Sequence, residues 1–556
     1  MTVSLNFLKR RGPDSHGQWS SPDGVVDLLH ARLAIVDSDS SAHQPLSDAS
    51  SGVSVALVGE IYNYLELRAE LSGFQFKTKS DTEVILALYV TRGLAGFKSL
   101  RGMFALCLVD CHARRTYLIR DPIGKKPLFL AQWRGSTYFG SSVLALLAAS
   151  GEAPDLNETA AAHFWADGHV TFTESIIKGC TPVRPGEIVE LDWSGTVKAV
   201  SSCIPDREKL LACQNPEIVR REIWELILQS TRRRLLNNPN PVALLSGGID
   251  STVVAKGMRQ VTEGTAITLG SLVPGTYDEK YARYAGRHLD LPVQVVRTRP
   301  THLADDVSWA LDLQDEPLGM ISFFPLALMI RAAREYGRIL FTGDGGDEIF
   351  LGYGQEADWL RTPEPNEAER HSDDVSACSL APQWMSNWGQ KMVKDSLIGH
   401  MFTKLDRASA EQGVECRCPL LDWDLVAFVR GLAPDLLLFD GKPKALLKAQ
   451  LSGWPRMFVN RPKVGFTQNL RWAWAASRFT GLREMITSDS IAAFEAQLPQ
   501  EMRHGASMWH SLTIFRNFTS AWKLLAWSLF NKRLKSAVEG PAERQENPLL
   551  KAASVR

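Results

Sequence analysis

This chain of 556 residues has no excess of either charge, because 62 Lys and Arg balance 62 Asp and Glu. It therefore lacks the global positive field that draws proteins to nucleic acid or to anionic membranes. Long apolar runs are missing too: none approaches the roughly 18 residues of a membrane span. Residues 1–11 hold no apolar core of the secretory type. Cysteine is scarce, eight in 556, at positions 107, 111, 180, 203, 213, 378, 416 and 418. That is too sparse for a disulfide scaffold. Cys416-x-Cys418 is too tight for a zinc pair and has no histidine cluster beside it. The expectation is a cytoplasmic protein with reduced thiols, and no nucleic-acid or membrane partner.

What is present is ordinary globular composition, 45% hydrophobic and 22% charged, which argues against a mainly disordered chain. A prior of about 150 residues per domain gives two to four domains. Residues 1 to 195 read as short strands with turns, with runs at Val53–Val58, Phe104–Val109, Thr116–Arg120 and Pro185–Asp192. Helical patterns fall near Leu65–Leu71 and Glu83–Val90, and the Ser- and Asp-rich stretch Ser38–Gly52 reads as a loop. A polar linker near 200–216 separates this part from one where helix and strand alternate. A helix at Pro216–Leu236 precedes strand Val242–Leu245; strand Thr265–Leu269, a helix at Asp278–Leu289 and strand Val293–Val296 follow. That alternation is the pattern of a parallel sheet. From about 355 onward helix-like, Trp-rich segments dominate.

The strongest local signal is Leu245-Ser-Gly-Gly-Ile-Asp-Ser251, set between a strand and a helix. Two glycines let the backbone turn sharply and approach a ligand closely. N–H groups at the helix start point at an anion, which the helix dipole also favours. Ser246, Gly247, Gly248 and Ser251 make a phosphate cradle that has neither the P-loop nor the dinucleotide spacing. A second Gly-rich turn, Gly343-Asp-Gly-Gly-Asp-Glu348, follows the apolar strand Ile339–Phe341. Its carboxylates repel one another unless a cation sits among them, and Asp250 with Asp347 are candidate ligands of Mg²⁺, which takes one or two carboxylates plus substrate phosphates.

These two motifs, in this order, resemble the synthetase part of class B asparagine synthetases. So do Tyr277–Arg283, Asp315-Glu-Pro317, Asp406-Arg407, Gly413–Asp422, Lys442-Pro-Lys-Ala-Leu-Leu-Lys448 and Arg461-Pro-Lys-Val-Gly-Phe466. The resemblance implies two parts. One is a truncated N-terminal-nucleophile-hydrolase-like αββα sandwich, α+β, over residues 1–200. The other is an α/β ATP-pyrophosphatase-type parallel sheet with helices over 216–540. It also implies the chemistry. A carboxylate, aspartate or a relative, is activated by ATP as an acyl-adenylate and then attacked by ammonia or an amine. By the same resemblance Asp250 and Asp347 would hold Mg²⁺, and Ser246–Ser251 the pyrophosphate. Leu245 and Leu269 would flank adenine, with Thr342 and Gly343 near the nucleotide and Lys463 a candidate for the phosphates. Lys444 would stabilise developing charge, while Asp344 and Glu348 would orient the amine or substrate.

The first 200 residues resemble the family's glutaminase through Arg10–Gly17, His30–Asp37, Gln44-Pro-Leu46, Gly59–Asn63, Ser80–Glu83 and Arg120–Gly124. Arg32 and Asp81 fall where the family holds glutamine. Two departures point to a degenerate glutaminase. The family's nucleophilic Cys is missing from the Met-Thr-Val start, as is its first strand, and the Asn of its Asn-Gly-Glu oxyanion motif is Val58 here. Val has no donor for an oxyanion. An edge left by a missing strand invites cover from a partner glutaminase or a second copy of the chain. Two other readings stand beside the synthetase. One is an enzyme similar to β-lactam synthetases or lasso-peptide cyclases, closing an amide within one substrate. The other is a non-catalytic binding or scaffold protein. Trp359, Trp384, Trp388, Trp472, Trp474, Trp509, Trp522 and Trp527 crowd the second half, and core packing is the ordinary use of aromatics.

Overall fold

The computed structural model describes residues 2–37, 39–205, 215–236, 240–270, 277–297, 299–352, 399–432, 434–438, 442–461 and 518–539. The N-terminal part is a layered antiparallel structure. Its larger sheet has the order β11-β10-β6-β5-β4-β3. These strands are β3 (Leu46–Asp48), β4 (Val53–Ile61), β5 (Gly102–Asp110), β6 (Arg115–Arg120), β10 (Glu187–Asp192) and β11 (Val197–Ser202). The Ser38–Gly52 stretch, expected as a loop, contains β3 and a 3₁₀ turn at Ser40–Ala42. β3 is only three residues long, too short to leave a period-two signal.

Strand β5 shows why this part is a sandwich. Phe104, Leu106 and Leu108 enter one core, together with Val84, Ile85 and Leu88 of helix α3 (Thr82–Arg92). The alternate residues Ala105, Cys107 and Val109 enter a second core with Leu28 and Leu128. A strand apolar on both faces must be covered on both. Helices α2 (Tyr64–Glu70) and α3 cover one face. The other lies under a second layer made of two separate pieces. These are the hairpin β1 (Ser15–Ser20) with β2 (Asp27–Arg32), and the sheet β8-β7-β9, from Ser136–Gly140, Phe129–Trp133 and Cys180–Pro182. The chain begins with helix α1 (Thr2–Leu8).

The C-terminal part has a five-stranded sheet, all parallel, ordered β14-β13-β12-β15-β16. Its strands are β12 (Val242–Leu244), β13 (Thr265–Leu269), β14 (Val293–Val296), β15 (Ile339–Phe341) and β16 (Glu415–Arg417). β16 was not anticipated: three residues, two of them charged, give no strand pattern.

The two parts share one continuous hydrophobic core. Phe129, Val143, Leu147 and Phe164 pack with residues of the parallel-sheet part. The helix Phe518–Glu539 closes that core, with Trp527 centred 5.3 Å from the Phe164 ring. Trp522 and Trp527 are fully buried core residues; the other six tryptophans named above lie outside the described residues. No described helix is long and apolar enough to cross a membrane.

Charged side chains fix how the parts meet. Helix α4 (Val143–Ser150) is capped by Ser142 from its own chain segment. It is capped again by Asp315 from the other part. That carboxylate accepts from Ser142 Oγ at 2.6 Å, Val143 N at 2.7 Å and Leu144 N at 3.3 Å. Its remaining partner is the Arg407 guanidinium at 3.2 Å. Glu316 accepts from Ser175 Oγ at 2.9 Å and Ile176 N at 3.0 Å. The five side chains of this junction, Ser142, Ser175, Asp315, Glu316 and Arg407, are all buried. Asp315→Ala would leave three buried donors without their acceptor and take from Arg407 one of its two carboxylates, the other being Asp406 at 3.5 Å. The expected loss of unfolding free energy is about 3–5 kcal/mol, with Asp315→Asn losing less. Urea denaturation of the two variants checks this, and equal midpoints for Asp315→Ala and wild type would refute it.

Candidate active site

The Ser-Gly-Gly loop leaves β12 and enters helix α7, numbered after α5 (Glu158–Asp167) and α6 (Pro216–Leu235), and spanning Ile249–Val261. Gly247 has φ +68°, and a Cβ there would fall 2.5 Å from the backbone of Tyr281 and Ala282. Only glycine meets both demands. The two serine hydroxyls lie 3.1 Å apart, and Gly248 N donates to Ser246 Oγ at 3.3 Å. The helix begins at Gly248, whose lack of a side chain leaves the N-terminal N–H groups uncapped by that residue. Such a terminus favours an anion.

The second Gly-rich turn lies directly on this helix start. A Cβ on Gly343 would be 2.6 Å from Ser251 N, and one on Gly346 would be 2.4 Å from Asp250 Cγ. The contact brings Asp250 and Asp347 together, and one ammonium bridges them. Lys444 Nζ stands 2.7 and 2.5 Å from the two Asp250 oxygens and 2.7 Å from Asp347 Oδ1. Burial alone would lower the pKa of this lysine, but Asp250 and Asp347 outweigh it and hold the value above the ordinary lysine range. Lys444 has a left-handed backbone, φ +57°. Its N–H donates to Phe350 O at 3.1 Å, and its carbonyl accepts from Lys448 N at 2.8 Å. Gly352 makes room for it, since a Cβ there would lie 2.2 Å from Lys444 Cε.

A further cation, Arg461, borders the loop. It lies 3.3 Å from Asp278 Oδ1 and 4.6 Å over the Tyr281 ring, and a Cβ on Gly248 would lie 3.9 Å from its Nη2. Burial holds the Asp278 carboxyl above its usual range. Sequence reasoning chose Lys463 from the same basic motif, and Lys463 lies outside the described residues. The overlooked Arg461 stands two residues earlier in that motif.

The other residues singled out fall around this centre unevenly. Leu245 and Leu269 are buried at the ends of β12 and β13, with Leu245 N donating to Ile267 O at 2.8 Å. Thr342 is buried at the end of β15, its N donating to Arg417 O at 2.9 Å and its hydroxyl 3.2 Å from Cys418 Sγ. Asp344 is half-buried and Glu348 fully buried.

In the N-terminal part a cavity of about 630 Å³ opens between β2 and β8. His30, Arg32, Val58, Gly59, Glu60 and Cys107 are among the residues that line it. Arg32 is committed to backbone: it donates to Val36 O at 3.0 Å and also to Asp37 O. His30 donates from Nε2 to Leu57 O at 2.9 Å, and burial pulls its pKa down to about 4, so it is neutral. Burial also pushes the Cys107 thiol far above its usual range. Asp81 is not part of the cavity lining; its carboxylate accepts from Ile61 N on β4 at 2.9 Å. Burial raises its pKa to about 6.

Comparison with known proteins agrees with this architecture. Residues 1–200 match the glutamine amidotransferase domain and residues 222–529 match asparagine synthase. These two matches give the class, a carbon–nitrogen ligase carrying an amidotransferase-type domain. The chain belongs to the asparagine synthetase family. It is 27% identical to asparagine synthetase B [glutamine-hydrolyzing] of Escherichia coli, over 84% of this chain and 78% of that one. Two relatives carry the asparagine synthetase [glutamine-hydrolyzing] name provisionally. The one from Methanocaldococcus jannaschii is 30% identical over 64% of this chain and 73% of its own. The one from Mycobacterium tuberculosis H37Rv is 31% identical over 63% of this chain, which spans 56% of that relative.

Two outcomes are expected. Gly346→Ala pushes a methyl into the Asp250 carboxylate, so nucleotide binding measured by calorimetry weakens at least tenfold, or about 1.4 kcal/mol, while circular dichroism is unchanged. Asp81 retains its proton up to about pH 6 in the native state, whereas an unfolded Asp loses it near about 3.9. The native state therefore binds more protons across that window, and stability falls as pH rises through it. Asp81→Asn flattens this fall in melts recorded from pH 4 to 7; an unchanged slope would refute the assignment.

Proposed function

We propose that this protein is an ATP-dependent amide-forming ligase that activates aspartate, or a closely related carboxylate, and aminates it with ammonia not made in its own N-terminal part. The observation that supports it most is the Lys444 ammonium set between Asp250 and Asp347 at the start of α7. Two carboxylates converging on one cationic point form an all-oxygen donor pair, which suits Mg²⁺. When bound, Mg²⁺ would neutralise phosphate charge there.

In this reading the Ser246–Ser251 loop and the α7 N-terminus hold the pyrophosphate end of ATP. Leu245 and Leu269 flank the base, and Thr342 and Gly343 lie along the nucleotide. A substrate carboxylate oxygen attacks the α-phosphorus. The bond to the bridging oxygen breaks, and pyrophosphate leaves. Lys444 and Arg461 offset the charge that gathers as this happens, the main lever available in a dry site. Ammonia then attacks the acyl carbon of the adenylate, AMP departs, and the nitrogen sheds a proton. Asp344 and Glu348 orient the incoming amine or the substrate.

The cavity supports a nitrogen source outside the N-terminal part. Val58 brings no side-chain donor, Cys107 stays a buried thiol, and Arg32 is engaged by the backbone of residues 36 and 37. None of these favours glutamine hydrolysis there.

The test supplies ATP, Mg²⁺ and aspartate with either ammonium or glutamine, and measures pyrophosphate and asparagine together. Asparagine is expected with ammonium alone, its rate rising with pH as ammonium deprotonates. Lys444→Ala should lower the rate at least 10²-fold, as loss of a charge-stabilising donor typically does, without abolishing nucleotide binding. Asparagine made from glutamine would overturn the nitrogen assignment, and absence of pyrophosphate with both donors would overturn aspartate as substrate.

A further inference from the structure

We infer that Lys444 is a built-in occupant of the metal site, so that a divalent cation enters only together with the nucleotide's phosphates. The inference rests on the proposed reading of Asp250 and Asp347 as metal ligands. Three carboxylate oxygens of those two residues meet the Lys444 ammonium at 2.5–2.7 Å. A Mg²⁺ ion would need carboxylate oxygens at about 2.0–2.1 Å. Those lone pairs are already engaged, and two cations on the same oxygens repel strongly where water is scarce.

The lysine is also tethered close to the two carboxylates. Its backbone is held on both sides, by Phe350 O and by Lys448 N. Its stem passes beside Gly352, where even a methyl would collide with it. Leaving the carboxylates would leave a buried ammonium unpaired unless a new anion came within reach of the side chain. The anion site in reach is the phosphate cradle at the start of α7, to which Asp250 belongs. Phosphate oxygens arriving there give Lys444 a replacement partner and also give Mg²⁺ its preferred ligands. Metal and nucleotide then raise each other's affinity by one common factor, as linkage demands. This makes Lys444 a residue that sets the order and selectivity of binding, besides any part in the chemistry.

The experiment uses Mn²⁺ as the probe, read by loss of its free electron paramagnetic resonance signal on the full chain. Without nucleotide, the wild type is expected to bind Mn²⁺ weakly. Lys444→Met should bind it at least tenfold tighter, and Mg²⁺ should raise the melting temperature of that variant but not of wild type. Lys444→Arg keeps a cation on both carboxylates and should behave like wild type. Should the Met variant not fold, Lys444→Gln serves in its place with the same expected gain. Equal Mn²⁺ affinity in wild type and the uncharged variant would overturn the inference. In the Lys444→Met background, Asp250→Asn should abolish the gained Mn²⁺ binding. Survival of that binding would instead show that Asp250 is not a metal ligand, a distinct failure that removes the reading beneath the inference.

Discussion

Two carboxylates forced to face one point at the start of a helix are the constraint from which the centre of this molecule follows. Asp250 and Asp347 repel, and they are half-buried in a place where repulsion is poorly screened. A positive charge between them relieves that repulsion, and here it is the Lys444 ammonium. The surrounding backbone is shaped to bring Lys444 there. Gly343 and Gly346 let one loop lie on the other, Gly345 turns with φ +93° against Leu421, and Gly352 clears the path of the lysine stem. Lys444 itself adopts a backbone conformation that costs a non-glycine residue about 1–2 kcal/mol. That strain is offset by a charge-assisted contact on both carboxylates.

A second set of buried charges decides how the two parts are joined. Asp315 and Glu316 cap segments of the N-terminal part, and Arg407 faces Asp315. Strand β16 adds another link. Its Arg417 side chain lies 2.6 Å from Glu415 and 3.8 Å from the cavity-lining Glu60, while its carbonyl accepts from Thr342 at the end of β15. Buried ion pairs are weak contributors to stability against apolar alternatives. Their use here is geometric: each tolerates only one relative placement of the parts, which an apolar interface alone does not enforce.

Much of this was legible in the chain. The parallel sheet follows from alternating helix and strand runs, and the strands Thr265–Leu269, Val293–Val296 and Ile339–Phe341 stand where their apolar runs lie. The Ser-Gly-Gly loop and the Gly343–Glu348 turn were visible because glycine and carboxylate cluster there. What was not legible has a common cause. β3 and β16 are three-residue strands whose existence depends on neighbours distant in sequence. The bridging of Asp250 and Asp347 by Lys444 spans 194 residues to Asp250, and no local pattern encodes such a distance. Arg461 was passed over because a basic motif does not say which of its cations turns inward. Arg32 and Asp81 were read as ligand holders from the motifs around them. Only the fold shows Arg32 gripping backbone and Asp81 bonded to β4.

That last point bears on what the N-terminal part is for. Its cavity is lined by a neutral histidine, a thiol whose pKa burial raises and an arginine bonded to backbone carbonyls. Its outer layer is another matter. Phe129, Val143, Leu147 and Phe164 belong to the same core as the parallel sheet. Without them that core would face water on one side, at roughly 25 cal/mol for each Å² of apolar surface newly exposed. Asp315 and Glu316 would lose the donors they cap, and Arg407 would keep its buried charge beside a carboxylate freed of three of them. The Ser246–Ser251 loop and the Asp250–Lys444–Asp347 cluster stand on helices and strands packed over this core. The N-terminal part thus completes the core beneath the Asp250–Lys444–Asp347 cluster, for reasons of packing and charge.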